Sequence, residues 1–370
     1  MLTLLISARD PSAARNQIAL YEYIQQQQQQ KNIIIIVVAS EPAASIFKSK
    51  QIYLNEQVDI IIEKEESKSA YLLLKEAQKI IEKYQPDAII TGLSGPKIGI
   101  DEALVKISKG LIPSYLLQDF WGECNTYFEV YADTFFVIDA IAEKESKRKF
   151  NVHSIVSGMP KYDAYQLLCS QDRKEQSTQR VTFFGQPLWE YNGYKETLES
   201  FLISIKKIDK VELYYRPHPS EEKNSYKNIL ELSKSTEVTI KLDREISPEV
   251  SMIKSYAVFS LFSLTCYDYV CLNSLREDPL GMACYLQFNH EILAEFQNEL
   301  KSSFFTKVFP DFGLIINREE DLEKMWSKLL DDNYIQKYHQ NQKKYSTLNQ
   351  NSSATILHTI LRDINKNEIN

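Results

Sequence analysis

Glycine is scarce in this chain, 10 residues of 370, and no GxGxxG follows the first strand-like run. That spacing lets a backbone approach a pyrophosphate where a helix begins, so its absence argues against a nicotinamide or flavin dehydrogenase. Gly92-Leu93-Ser94-Gly95-Pro96-Lys97 has a glycine and a lysine, but the P-loop spacing is wrong and a proline intervenes. Cysteine is sparse and odd in number: Cys124, Cys169, Cys266, Cys271 and Cys284 form no CxxC and no histidine-bearing pattern. Reduced structural cysteines are expected, with no disulfide framework and no metal site. Long apolar runs are missing too, so no segment reads as membrane-spanning. Met1-Leu2-Thr3-Leu4-Leu5-Ile6-Ser7 lacks a basic flank and a small-residue cleavage site, and reads as a first strand and not a signal peptide. Positive charge is in deficit: 43 Lys and Arg against 50 Asp and Glu give a net charge of −7, and no basic block stands out to neutralise a nucleic-acid backbone. The expected setting is cytoplasmic, with peripheral contact at the inner membrane face left open.

What is present is the make-up of an ordinary globular protein, 44% apolar and 25% charged, long enough for two domains. Strand-like and helix-like segments alternate. Ile33-Ile34-Ile35-Ile36-Val37-Val38 is a β-branched run of the kind found in parallel strands buried on both faces. Leu2 to Ser7, Val58 to Ile62, Asp87 to Thr91, Leu111 to Leu117 and Thr134 to Ile138 are further strands, separated by helical patterns. Gln25 to Gln30 is the only low-complexity piece and extends the first helix. Composition shifts between Ala142 and Gln179, where His153 to Val156 and then Gly158-Met159-Pro160-Lys161-Tyr162-Asp163 mark a crossing. A second series follows: Val181 to Phe184, Val211 to Tyr215, Val238 to Leu242, Ala257 to Ser260, Cys284 to Phe288 and Leu314 to Asn317 are strands. The predicted architecture is α/β, with Rossmann-like domains over 1–150 and 181–335, a crossing over 151–180, and a helical C-terminal tail over 336–370.

Strand ends carry the chemistry, because ligands of open α/β sheets bind at the carboxyl edge. Tyr214-Tyr215-Arg216-Pro217-His218-Pro219-Ser220 closes one strand with a cation and an imidazole held between two stiff prolines. Gly185-Gln186-Pro187 ends another. Ser260-Leu261-Phe262-Ser263-Leu264-Thr265 ends a third, where hydroxyls and a helix start suit a phosphate, or where the hydroxyls simply cap the helix. In the first half, Asp119 and Glu123 follow a strand and are the general-base candidates, with Asp10 and Asp101 behind them; acidic caps are the alternative. Phe120 and Trp121 either stack on a sugar or pack inside.

Taken together, Gly158-Met159-Pro160-Lys161-Tyr162-Asp163, Phe184-Gly185-Gln186-Pro187, Arg216-Pro217-His218-Pro219 and Ser260-Leu261-Phe262-Ser263 resemble bacterial GT-B glycosyltransferases of surface-polysaccharide synthesis. Capsule and teichoic-acid transferases and sialyltransferases with a His-Pro motif are similar, and the UDP-N-acetylglucosamine 2-epimerases share the fold. The resemblance implies two domains facing across a cleft, an acceptor side in the first and a nucleotide-sugar donor side in the second. It implies His218 at the donor phosphate or leaving group, Arg216 helping to place it, Ser260, Ser263 and Thr265 on phosphate, and Gln186 near the nucleotide. The base motif of the sialyltransferases is replaced here by Gln118-Asp119-Phe120-Trp121-Gly122. No DxD stands in a loop, so neither metal nor cofactor is expected. The expected activity is transfer of a sugar from a nucleotide-sugar donor to a surface glycan or glycolipid, as in capsule or lipopolysaccharide assembly. The alternatives are a UDP-sugar 2-epimerase and a non-catalytic glycan-binding or assembly subunit.

Overall fold

The computed structural model describes residues 1–59, 66–95, 97–169, 178–219, 221, 225–300, 313–343 and 351–367. They divide into two compact units, one of Met1–Ala164 with Leu348–Asn370, the other of Tyr165–Thr347.

The first unit is built on a wholly parallel sheet in the order β3-β2-β1-β4-β5-β6-β7. Its strands are β1 (Leu2–Ala8), β2 (Ile33–Ala39), β3 (Glu56–Gln57), β4 (Ala88–Gly92), β5 (Ser114–Leu117), β6 (Thr134–Val137) and β7 (His153–Val156). Successive side chains of a strand point to opposite faces, and the β-branched run obeys this. Ile33, Ile35 and Val37 join Leu4 and Ile6 in one core layer, while Ile36 and Val38 join Leu5 and Ile89 in the other. Both faces are covered, which is why no polar alternation is seen in the sequence. His153–Val156, expected in the crossing, is instead the edge strand of this sheet, in parallel register with β6. The strand expected over Val58 to Ile62 begins earlier, pairing at Glu56–Gln57, and residues 60–62 lie outside the described residues.

The C-terminal segment is not a free-standing tail. Ile356, Leu357, Ile360 and Ile364 of the helix Ser352–Asn367 are buried in the same core layer as β1 and β2. At roughly 1.5–3 kcal/mol for each fully buried aliphatic side chain, this face is enough to return the helix to the first unit. Its start is held by Asp163, whose two carboxylate oxygens accept from the backbone N–H of Ser352 and Ser353, each at 2.8 Å. Asp163 belongs to the segment read from sequence as the crossing, so that motif anchors the last helix.

The second unit carries a parallel sheet in the order β10-β9-β8-β11-β12-β13. The strands are β8 (Gln179–Phe184), β9 (Val211–Arg216), β10 (Ile240–Leu242), β11 (Ala257–Ser260), β12 (Met282–Leu286) and β13 (Leu314–Ile316). In both sheets the order reverses beside the first strand, between β1 and β4 and between β8 and β11. Neighbouring connections leave there toward opposite faces, which opens a crevice at the carboxyl edge. No helix among the described residues is long and apolar enough to cross a membrane.

Replacing Asp163 with Ala removes two charge-assisted bonds at a helix start, each of a class worth about 1.5–3 kcal/mol. The urea midpoint of the first unit is expected to fall and amide exchange in Ser352–Asn367 to rise. An unchanged midpoint with unchanged exchange would show that apolar burial alone holds the helix.

Candidate functional site

In the first unit, the crevice between β1 and β4 is locked by side chains from the loop after β1 and from the helix Pro11–Lys31 that follows it. Arg9 donates to the carbonyls of Ile98 at 2.8 Å and Gly95 at 2.7 Å. Asp10 accepts from the N–H of Gly95 at 2.7 Å. Gln17 donates to the carbonyls of Ser7 at 3.3 Å and Ile90 at 3.0 Å, bridging β1 and β4. Gly92 lets the helix Pro11–Lys31 come this close, since a Cβ there would lie 2.3 Å from that of Ala13.

Asp119, just after β5, is the buried member of the predicted base pair, 5% exposed. Burial pushes its carboxyl up to about 6, against the pull of Ser12 and of the Lys161 charge. Ser12 comes from the first turn of Pro11–Lys31, and Lys161 from the 3-10 turn Pro160–Tyr162, so two further segments meet Asp119. Glu123 is placed elsewhere: it forms a half-buried ion pair with Lys149 at 2.7 Å and is not brought to Asp119 by any bond. Trp121 is fully buried, its indole N–H donating to Asp139 at 2.8 Å. Asp139 also accepts from Ala142 N, capping the helix Ala140–Phe150. A sugar face does not reach Trp121 in this arrangement; it packs. Asp101 and Glu102, at the start of the helix Ile100–Ser108, are both buried.

In the second unit, Gln186 stands at the crevice between β8 and β11. Its side-chain carbonyl oxygen accepts from the N–H of Leu261 and of Phe262, each at 3.0 Å, and its backbone N–H donates to Tyr194 Oη at 3.0 Å. The side chain therefore fixes the loop after β11, while the backbone is tied to Tyr194. Ser260 is fully buried, and its hydroxyl accepts from Ser263 N at 3.2 Å. Ser263 caps the helix Leu264–Ser274, accepting from Thr265 N at 3.2 Å and donating to Thr265 Oγ1 at 2.8 Å. The three hydroxyls predicted for phosphate thus sit together. Ser263 and Thr265 are half-buried at the helix start, while Ser260 lies behind them as support.

Arg216 and His218 follow β9, one strand further out. Arg216 turns back toward the sheet, 3.3 Å from Asp243 and 3.1 Å from the carbonyl of Glu245. Asp243 is shared with Arg180 at 3.0 Å. Burial would raise that carboxyl, but Ser251, the Glu245 backbone and the two guanidinium groups prevail and hold it below its usual range. His218 is half-buried, and its carbonyl accepts from Glu221 N at 2.9 Å.

Glu221 was not singled out in the sequence. Tyr215 Oη donates to it at 2.7 Å, and burial pushes its carboxyl up to about 7. Gly185 makes room for the pair, since a Cβ there would lie 2.2 Å from Tyr215 Oη and 2.6 Å from Glu221 Oε1. The signal was present: an acid three residues after His218, opposite a glycine at the neighbouring strand end. Among the described residues no group of three or more His, Cys, Asp and Glu could hold a metal ion.

No protein-family model matches the chain, and no curated protein matches it. Solved structures do. S. aureus MnaA in complex with UDP aligns over 99% of this chain and 97% of its own, with a TM-score of 0.68 and 13% identity. UDP-GlcNAc 2-epimerase from Neisseria meningitidis, bound to UDP-GlcNAc, aligns over 98% and 100%, with a TM-score of 0.64 and 14% identity. MurG from Acinetobacter baumannii aligns over 98% and 100%, with a TM-score of 0.61 and 11% identity. The fold is GT-B. At these identities the likeness establishes the fold and nothing finer.

Replacing Gln186 with Ala leaves two buried N–H groups without their acceptor, at a cost of about 1–3 kcal/mol each if water does not enter. Amide exchange at Leu261 and Phe262 is expected to accelerate while β8 stays protected. Equal protection in the variant would show that the loop holds itself.

Proposed function

We propose that this chain is an enzyme acting on a nucleotide-sugar, and that it is a glycosyltransferase passing the sugar to a glycan or glycolipid acceptor. The observation that carries the reading is Asp119: a buried carboxyl at a sheet's ligand-binding edge that titrates near 6 is poised to take a proton at neutral pH. The fold's solved likenesses bound to UDP and UDP-GlcNAc support a nucleotide-sugar as the ligand class.

In this reading the second unit binds the donor. The half-buried hydroxyls of Ser263 and Thr265 exchange their mutual bonds for phosphate oxygens, aided by the partial positive charge of the helix start. Gln186 and Ser260 position that loop. The first unit serves the acceptor, and Asp119 removes the proton of the attacking hydroxyl. The acceptor oxygen bonds to the anomeric carbon, the bond from that carbon to the diphosphate breaks, and the nucleoside diphosphate departs with the electron pair. His218 stabilises the departing charge, with no metal assigned to the step. Arg216, already shared with Asp243, orders the loop and acts on phosphate only at a distance.

A second reading is supported by the fold: 2-epimerases of UDP-GlcNAc recur among the similar solved structures. Incubation with UDP-GlcNAc alone separates the two, because epimer formation without acceptor selects the epimerase. No thermal shift with any nucleotide across a panel would instead favour a non-catalytic glycan-binding or assembly subunit.

Replacing His218 with Ala is expected to cut turnover about 10²–10³-fold with the melting temperature retained. Replacing Asp119 with Asn is expected to cut it about 10²–10⁴-fold. A base must be ionised to act, so the natural enzyme should lose rate as pH falls through about 6. A rate flat from pH 5 to 8, or an Asn variant of full activity, would remove Asp119 from the mechanism.

A further inference from the structure

A line of polar groups runs beneath the carboxyl edge of the second sheet, from the loop after β8 to the loop after β9. It starts at the backbone N–H of Gln186, which donates to Tyr194 Oη at 3.0 Å. The hydroxyls of Tyr194 and Tyr215 then meet, and Tyr215 Oη donates to Glu221 Oε1 at 2.7 Å. Glu221 completes the line through its own backbone N–H, which donates to the carbonyl of His218 at 2.9 Å. A phenol has one proton to give. That of Tyr215 goes to Glu221, so where the two phenols meet Tyr194 is the donor. The line has one direction, from Gln186 to the Glu221 carboxyl.

Its two ends are held unequally. At the first, the Gln186 side chain accepts from Leu261 and Phe262, and Gln287 donates to the carbonyl of Leu261 at 3.4 Å. All four residues are buried. At the second, His218 is half-buried between Pro217 and Pro219, which are both exposed. Those prolines stiffen the backbone around the imidazole. They do not fix where that stiff piece lies against the sheet, whereas a bond to its carbonyl does. The phenols between the ends are fully buried and their rings are set by packing. Tyr215 stacks on Phe183 with centroids 6.0 Å apart, and Tyr194 meets Trp189 edge-on at 5.1 Å. Packing alone would be served as well by phenylalanine, since burying a hydroxyl is costly unless it is bonded. Gly185, which leaves room for Tyr215 and Glu221, keeps the same path open.

We infer that Glu221 is a positioning residue: anchored through Tyr215 and Tyr194 to the loop after β8, it sets where His218 stands at the sheet edge. The inference rests on the reading of His218 as the group at the departing phosphate.

The test uses the full chain and the ring C2 protons of its five histidines, followed by NMR. Tyr215→Phe deletes one hydroxyl from the line, Glu221→Leu deletes the acceptor, and Glu221→Gln keeps a carbonyl oxygen for Tyr215. The first two are expected to move the His218 resonance and leave those of His153, His290, His339 and His358 in place. Glu221→Gln is expected to keep His218 where it stands in the natural chain. UDP affinity, measured by calorimetry, should fall about two- to tenfold in Tyr215→Phe, the range of one hydrogen bond. With His218→Ala already present, the same replacement should cost nothing further, because a positioning residue acts only through the group it places. A His218 resonance unmoved in Tyr215→Phe and Glu221→Leu would overturn the inference; should the Leu variant not fold, Tyr215→Phe decides alone. Movement of all five resonances, which marks general loosening, would also overturn it, as would an equal loss of UDP affinity in the absence of His218. If UDP does not bind the natural chain, the phosphate reading fails, and the His218 resonance still decides the positioning.

Discussion

A wholly parallel sheet cannot be made from tight hairpins. Every strand must be reached by a crossover, so all strands end at the same edge. Both units obey this constraint, and the placement of their polar residues follows from it. Where the strand order reverses, the connections diverge and leave carbonyl and N–H groups at the crevice without a sheet partner. Buried backbone groups must be paired, and here a single side-chain amide spans each gap. Gln17 donates to the carbonyls of Ser7 in β1 and Ile90 in β4, and Gln186 accepts from the loop after β11. Gln186 leaves the loop after β8 anchored to the loop after β11, so any ligand at this edge meets a surface already ordered.

The carboxyl edges of the two sheets, each in its own unit, carry carboxyl groups whose titration is driven in opposite directions. Asp243 sits among guanidinium groups and hydrogen-bond donors, which hold its carboxyl below the usual carboxylate range. Asp119 has one lysine and one hydroxyl beside it, and burial wins. Glu221 has a tyrosine donor and rises further. The first group is structural, because a carboxylate that never changes charge near neutrality moves no proton. The other two can change charge within the physiological range, and that separates candidates for chemistry from members of the scaffold.

How much of this was legible in the sequence depends on the range of the interactions. The strands were legible because burial on both faces leaves unbroken β-branched runs, as at Ile33 to Val38. The Pro-His-Pro stood out because two prolines flanking an imidazole restrict its backbone locally. Contacts between distant residues left little trace. Nothing local announces that Asp163 holds Ser352, 189 positions on, or that Tyr215 aims its hydroxyl at Glu221. Trp121 and Glu123 drew attention by type and position, yet Asp139 and Lys149 take them up. Ser263 does cap its helix, as the alternative reading allowed, and that role is compatible with yielding the same bonds to a phosphate.

The two enzyme readings divide over where the proton goes, and the titrating groups give that question a definite form. Transfer to an acceptor needs one ionised carboxylate near the acceptor hydroxyl and a positive or donor group at the leaving phosphate. Epimerisation needs groups that remove a proton from carbon and return one to the opposite face. In either scheme the proposed base is Asp119. Glu221, rising to about 7, is largely protonated below neutrality and so is suited to donate. If Glu221 is only a support for the His218 loop, its replacement by Gln keeps the bond from Tyr215 and leaves the pH profile intact. If it donates a proton, the same replacement removes the alkaline limb. The protonation chemistry open to the second unit's edge therefore turns on one carboxyl, set three residues after His218 and facing Gly185.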